Sequence, residues 1–196
     1  QKRMYTFQNL DSTSTAYNMP GIFEIEGDVN RNQLENTFRQ LIQRHEGLRT
    51  YFETIDGEIV QKIKLSYQFY LNRKVDQEND MTDIVKNFVR PFELDKGPLF
   101  RAELLENKKK KYLLIDMHHI ISDGVSMSVL INELNKLYSG EFLEPLRIQY
   151  KDFAHWQNNL LKSGGLDKQE AFWKKQFEGN IPVLHLPYDY ERPSKK

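Results

Sequence analysis

The stretch MHHIISDGVS, Met117 to Ser126, concentrates the groups of this sequence best suited to chemistry. It sets His118 beside His119 and follows them with Asp123, Gly124 and Ser126. Paired imidazoles can be structural, can hold a metal ion, or can move protons, because an imidazole titrates near neutral pH. The preceding residues narrow the choice. YLLIDMHHI reads as a β-strand, in which successive side chains point to opposite faces. Leu113, Ile115, Met117 and His119 then share one face, and Leu114, Asp116, His118 and Ile120 share the other. Adjacent strand residues do not easily turn both imidazoles onto one ion. The nearest further ligand, Asp123, is a single carboxylate, so no metal site is expected. One histidine should face the fold and the other the space at the strand's end.

Gly124 directly after Asp123 suggests a sharp turn that needs glycine's backbone freedom. A helix should open there, with Val129, Leu130, Leu134 and Leu137 on one face. Its unpaired N–H groups and positive dipole end would then lie near the histidines. Ser126 is either a cap of that helix or a polar contact of the site.

The elements that position this stretch are legible along the chain. GIFEIEGDV reads as a strand before a Gly-Asp turn. Leu34, Phe38, Leu41 and His45 recur at helical spacing, with Asn30 or Asn32 as cap. LRTYFETIDGEIVQKI predicts a hairpin turning at Asp56-Gly57. YQFYLNRKV is a further strand or an irregular crossing. Asp80 to Val89 is a short helix halted before Pro91. LFRAELL and YLLIDMHHI are neighbouring strands joined by the run Lys108 to Lys111, which reads as a solvated hairpin tip, the alternative being a docking patch. Two further helices run from about Tyr150 to Leu161, with a Phe153-Trp156-Leu160 stripe expected in the core, and from Asp167 to Phe177. His45, His155 and His185 read as structural or surface residues. The class is α/β (α+β), a two-layer sandwich of a mixed β-sheet with helices.

Lys plus Arg and Asp plus Glu each number 28 in 196 residues, giving zero formal net charge. That balance argues against nucleic-acid and anionic-membrane partners. Cysteine is absent, which removes disulfides, thiolate catalysis and Cys-based zinc sites. With no long apolar run and nothing resembling a signal peptide, a cytoplasmic location is expected.

Several stretches together carry a resemblance. HHIISDG matches the HHxxxDG signature of nonribosomal peptide synthetase condensation domains, within the chloramphenicol-acetyltransferase-like superfamily. QKRMY, RHEGLRTYF (Arg44 to Phe52), PFELDKGPLFRAELL and YKDFAHW (Tyr150 to Trp156) resemble further motifs of that family in their usual order. The resemblance covers nearly the whole chain and implies the N-terminal half of such a domain. Residues 1–186 would form the N-terminal lobe, and 187–196 would start the connection to a C-terminal lobe.

The family reaction joins a donor acyl or peptidyl thioester to the amine of an acceptor aminoacyl thioester. Both ride on the phosphopantetheine of carrier proteins, so no intrinsic cofactor is implied. The resemblance gives His119 the catalytic place, either as general base or as a group that orients the amine. His118 supports it, and Asp123 resembles a structural anchor paired with an arginine, with Arg44 favoured over Arg49. Gly124 could bring its N–H toward the thioester oxygen. The implied partners are the C-terminal lobe, donor and acceptor peptidyl carrier proteins, and a neighbouring adenylation domain. The isolated lobe is expected to be inactive. A cyclisation domain is disfavoured because that relative replaces the histidine pair, and Met127 after Val125-Ser126 argues against an epimerisation domain. The remaining alternatives are a non-catalytic carrier-protein docking module and a free-standing acyltransferase of the same superfamily.

Overall fold

Strand β6 (Lys110–His118) organises the chain, and every residue in it from Leu113 to His118 is buried. Both of its faces are covered, so the run is nearly continuous in apolar residues instead of alternating. It pairs antiparallel with β1 (Asn18–Ile25) on one side and with β5 (Phe100–Asn107) on the other. β4 (Asn72–Val75) adds to β5 in parallel, giving the order β1-β6-β5-β4. The expected mixed sheet with helices is therefore present.

The computed structural model describes residues 1–108, 110–184, 187 and 189–191. The chain forms two compact units, Gln1–Tyr150 and Lys151–Lys196. Much of the expected connection at 187–196, together with His185, lies outside the described residues.

In the first unit, α2 (Arg31–Arg44) and α4 (Gly124–Tyr138) bring Leu34, Phe38, Leu41, Leu130 and Leu134 into one core with Leu113, Ile115 and Met117. His119 belongs to this face of β6 and lies just past its last paired residue. A second cluster joins Ile84 of α3 (Met81–Phe88) to Leu105 and Leu114. The helices start where the sequence predicts. Asn30, not Asn32, caps α2 by accepting from Gln33 N at 3.1 Å, and Asp80 caps α3 through Asp83 N at 3.0 Å. β2 (Thr50–Ile55) and β3 (Glu58–Ile63) form the expected hairpin as a separate two-stranded sheet. Asp56 and Gly57 both take positive φ, 50° and 80°, as a two-residue turn matched to strand twist requires. The lysine run is the tip between β5 and β6, where Lys110 and Lys111 pair with Glu24 and Asp28, each at 2.9 Å. Lys109 is outside the described residues.

Sequence reasoning missed α1 (Lys2–Leu10). It buries Tyr5 against Phe52, Phe92, Leu99 and Ile120, but its other inward residue is the polar Gln8. An amide at a buried position hides the helical period.

In the second unit, α5 (Tyr150–Lys162, whose first residue belongs to the first unit) and α6 (Asp167–Gln176) carry no buried residue. The stripe expected in the core is exposed: Phe153 at 43% and Trp156 at 56%, their rings 5.6 Å apart. Helical spacing reports which face is apolar, not what covers it.

Candidate active site

The two histidines part company at the end of β6. His118 is fully buried, with Phe92 edge-on to its ring at 6.2 Å. Its Nδ1 accepts from Ile120 N at 3.0 Å, so the ring proton sits on Nε2, which donates to Gln8 Oε1 at 3.3 Å. Burial first, and His119's nearby charge second, pull this imidazole from 6.5 to about 4. His118 is thus a neutral packing residue with both nitrogens committed.

His119 is exposed. Its backbone N–H still donates to Tyr17 O at 2.8 Å, which prolongs the β1 ladder by one bond. Its ring Nδ1 lies 2.7 Å from the carbonyl oxygen of Ser122. A carbonyl only accepts, so Nδ1 carries the proton and Nε2 keeps a lone pair. Among the described residues Nε2 has no hydrogen-bond partner. The ring borders a cleft of about 320 Å³ that Met4, Thr50, Gln61, Ser122, Asp123 and Ser126 also line. A positioned imidazole with one free basic nitrogen facing an open cleft can accept a proton from an entering group.

The turn after His119 closes on itself. Ile121 N donates to His118 O at 3.1 Å, and Ser122 Oγ donates to the same carbonyl at 3.1 Å. Asp123 then starts α4 as its cap, its Oδ1 accepting from Ser126 N at 2.8 Å and Ser126 Oγ at 2.7 Å. The Ser126 hydroxyl is the main reason that this carboxyl lies below its usual range. Ser126 is therefore the cap's partner as well as a residue of the cleft.

Three expectations need correction. Asp123 is exposed and does not pair with Arg44. Arg44 instead grips Glu133 of α4, Nε to Oε2 at 3.0 Å, and donates to Glu144 O at 2.5 Å. His45 Nε2 reaches the same Glu133 oxygen at 2.5 Å. Burial would raise the Glu133 carboxyl, but these two neighbours outweigh it and hold it low. Second, Gly124 is not in the left-handed region, since Asp123 in extended conformation already redirects the chain. A Cβ at Gly124 would meet nothing within 4 Å. Third, Gly124 borders a separate groove with Met19, Pro20 and Met127, not the His119 cleft.

The structure thus brings His119, Asp123 and Ser126 together, places His118 behind them, and leaves Gly124 and Arg44 outside. Sequence reasoning missed Gln8, Glu133, and the Ser122 carbonyl that orients the ring. It also missed the buried pair under the strand. Asp116 Oδ2 lies 3.3 Å from Arg101 Nη1 and accepts from Asn18 Nδ2 at 2.7 Å. Burial raises the Asp116 carboxyl and lowers Arg101 to about 10. With Asn18 this pair ties β1, β5 and β6 together, two residues before His118 on the same face of the strand.

A mixed sheet covered by helices, with an imidazole at its rim beside a cleft, is a lobe of chloramphenicol-acetyltransferase-like fold. The family model described as Condensation domain matches residues 1–196, and the chain belongs to that family. It is 48% identical to surfactin synthase subunit 1 of Bacillus subtilis (strain 168) over 195 residues, 99% of this chain and 5% of that protein. The chain therefore spans a small fraction of the curated relatives it matches. Among solved structures it resembles the X-domain in complex with OxyB from teicoplanin biosynthesis, with TM-score 0.80 and 25% identity, covering 93% of this chain and 43% of that one. It shares the fold of the epimerization domain from the third module of tyrocidine synthetase B, with TM-score 0.79 and 21% identity, covering 96% and 46%. No described helix is long and apolar enough to cross a membrane.

Proposed function

We propose that residues 1–186 are the N-terminal lobe of a condensation domain that forms amide bonds in a nonribosomal peptide synthetase, with 187–196 leading toward a C-terminal lobe. The observation that carries this reading is the free Nε2 of His119 beside the cleft, its tautomer set by Ser122 O. The acceptor amine attacks the donor thioester carbonyl, and a new C–N bond forms. The nitrogen, positively charged after attack, passes its proton to His119 Nε2. The C–S bond then breaks, and the departing thiolate takes a proton from the imidazolium. His118 contributes no proton; it fixes the strand end that aims His119. Asp123 and Ser126 shape the turn and the cleft.

Both thioesters arrive on the phosphopantetheine arms of donor and acceptor carrier proteins, next to an adenylation domain in the cytoplasm. No cofactor of the lobe's own is needed, because thioester aminolysis is downhill and holding both substrates together supplies acceleration. The alternative is a non-catalytic carrier-protein docking module; the X-domain that this chain resembles was solved in complex with a partner, OxyB.

One assay separates the two. The complete domain, with two loaded carrier proteins, should lose about 10²- to 10⁴-fold in amide formation when His119→Ala is made. Equal product from both would refute the catalytic role. The 196-residue lobe alone should form no peptide bond.

A further inference from the structure

A second cavity, of about 350 Å³, adjoins the His119 cleft. The two share Gly47, Ile121, Ser122, Asp123, Ser126 and Tyr150, so they adjoin at the turn after His119, with the second lying along the flank of α4. The floor is hydrocarbon: Leu48, Met117 and Leu130 are exposed by 7%, 1% and 4%. Val129 and Ile148 form an apolar rim, exposed by 42% and 68%.

The polar groups on the wall are already engaged. His45 Nε2 meets Glu133 at 2.5 Å. Gln149 donates to Arg44 O at 2.9 Å and accepts from Glu46 N at 3.1 Å. A charged group entering here would lose water without gaining a partner on the floor. At the mouth, the Asp123 carboxylate would repel a second carboxylate. An apolar group would exchange water for the hydrocarbon of Leu48, Met117 and Leu130.

We infer that this cavity is the side-chain pocket of the acceptor substrate, and that it selects an apolar side chain over a small or charged one. The inference rests on the proposed function. There the acceptor amine meets His119, and its side chain is attached one carbon from that nitrogen. The acceptor's side chain is therefore close to the wall that the two cavities share, whereas the donor's lies across the bond being formed.

The test uses the complete domain with one fixed donor and the pantetheine thioesters of leucine, alanine and aspartate as acceptors. Leucyl should exceed alanyl in kcat/KM by roughly tenfold or more, with aspartyl lowest. Val129→Phe, which fills the rim, should bring the leucyl-to-alanyl ratio toward one. Ile148→Asp, at a more exposed position, should lower the same ratio. Because the readout is a ratio within each variant, a general loss of folded protein cancels. Equal leucyl and alanyl rates in the wild type would overturn the inference, as would a ratio that neither substitution moves. A preference that follows the donor's side chain in place of the acceptor's overturns it too. If the wild type forms no amide with any acceptor, the functional reading fails and the pocket falls with it. Amide formation blind to the side chain sinks the pocket alone.

Discussion

The ring Nδ1 of His119 donates to the carbonyl oxygen of Ser122 across 2.7 Å, and this contact decides which nitrogen can act. It leaves Nε2 as the nitrogen that can accept a proton. His119→Asn keeps an amide donor near the Nδ1 position but has nothing in the place of Nε2. The complete domain carrying it should keep its fold and lose about 10²- to 10⁴-fold in amide formation. Single-turnover rates beside urea titrations of both proteins check this, and an unchanged rate would take the role away from Nε2.

His118 predicts an effect on stability, not on chemistry. Its folded value, about 4, lies below the ordinary 6.5. The unfolded chain therefore binds this proton first as pH falls. Stability is intact above the ordinary value, declines between the two values, and has no further His118 contribution below the lower one. The full loss across the window is on the order of 3 kcal/mol. Urea titrations across that range should show the decline, and His118→Gln should flatten this part of it. NMR of the ring nitrogens should find the Nε2–H tautomer.

The two carboxylates near the histidines should differ in what their loss costs. The resemblance implies that Asp123 is a structural anchor paired with an arginine. The structure gives that environment to Asp116, completely buried and paired with Arg101, while Asp123 is an exposed cap. Asp116→Ala should cost more, roughly 2–3 kcal/mol, because it removes the buried charged partner of Arg101, which keeps only the carbonyls of Phe88, Arg90 and Pro91. Asp123→Ala should cost about 1 kcal/mol, and Asp123→Ser should recover most of it. The low Asp123 carboxyl stabilises the fold at neutral pH. That contribution disappears as pH falls from its ordinary 3.8 through the folded value beneath it. Chemical denaturation of the three variants measures the ranking.

Much of the frame was legible because its signals are local. Asn30, Asp80 and the Asp56-Gly57 turn each act within a few residues, and strand alternation alone separates His118 from His119. What stayed hidden depends on distant partners. Gln8 reaches His118 from a helix with no apolar period, and Arg101 meets Asp116 across a strand pair. Neither choice is visible in spacing. The pairing of Arg44 was misassigned because many carboxylates could have met it. The clue was Glu133, a charge at helical spacing from both Leu130 and Leu137.

The RHEGLRT segment offers the sharpest test of that correction, because each of its basic side chains has a structural destination. Arg44 and His45 converge on Glu133, while Arg49 donates to the carbonyls of Ile42, at 3.0 Å, and Lys64. The Arg44–Glu133 pair is only 16% and 13% exposed, so water screens it weakly. A double-mutant cycle on Arg44→Ala and Glu133→Ala should return a coupling of about 1–3 kcal/mol. The same cycle on Arg44 and Asp123, which share no partner, should be additive within about 0.5 kcal/mol. Glu133→Ala alone should be the costlier single change, since it leaves two neighbouring cations or donors without their acceptor. Strong coupling between Arg44 and Asp123 would instead mean that the assembled domain remakes this contact, with α4 shifted along α2.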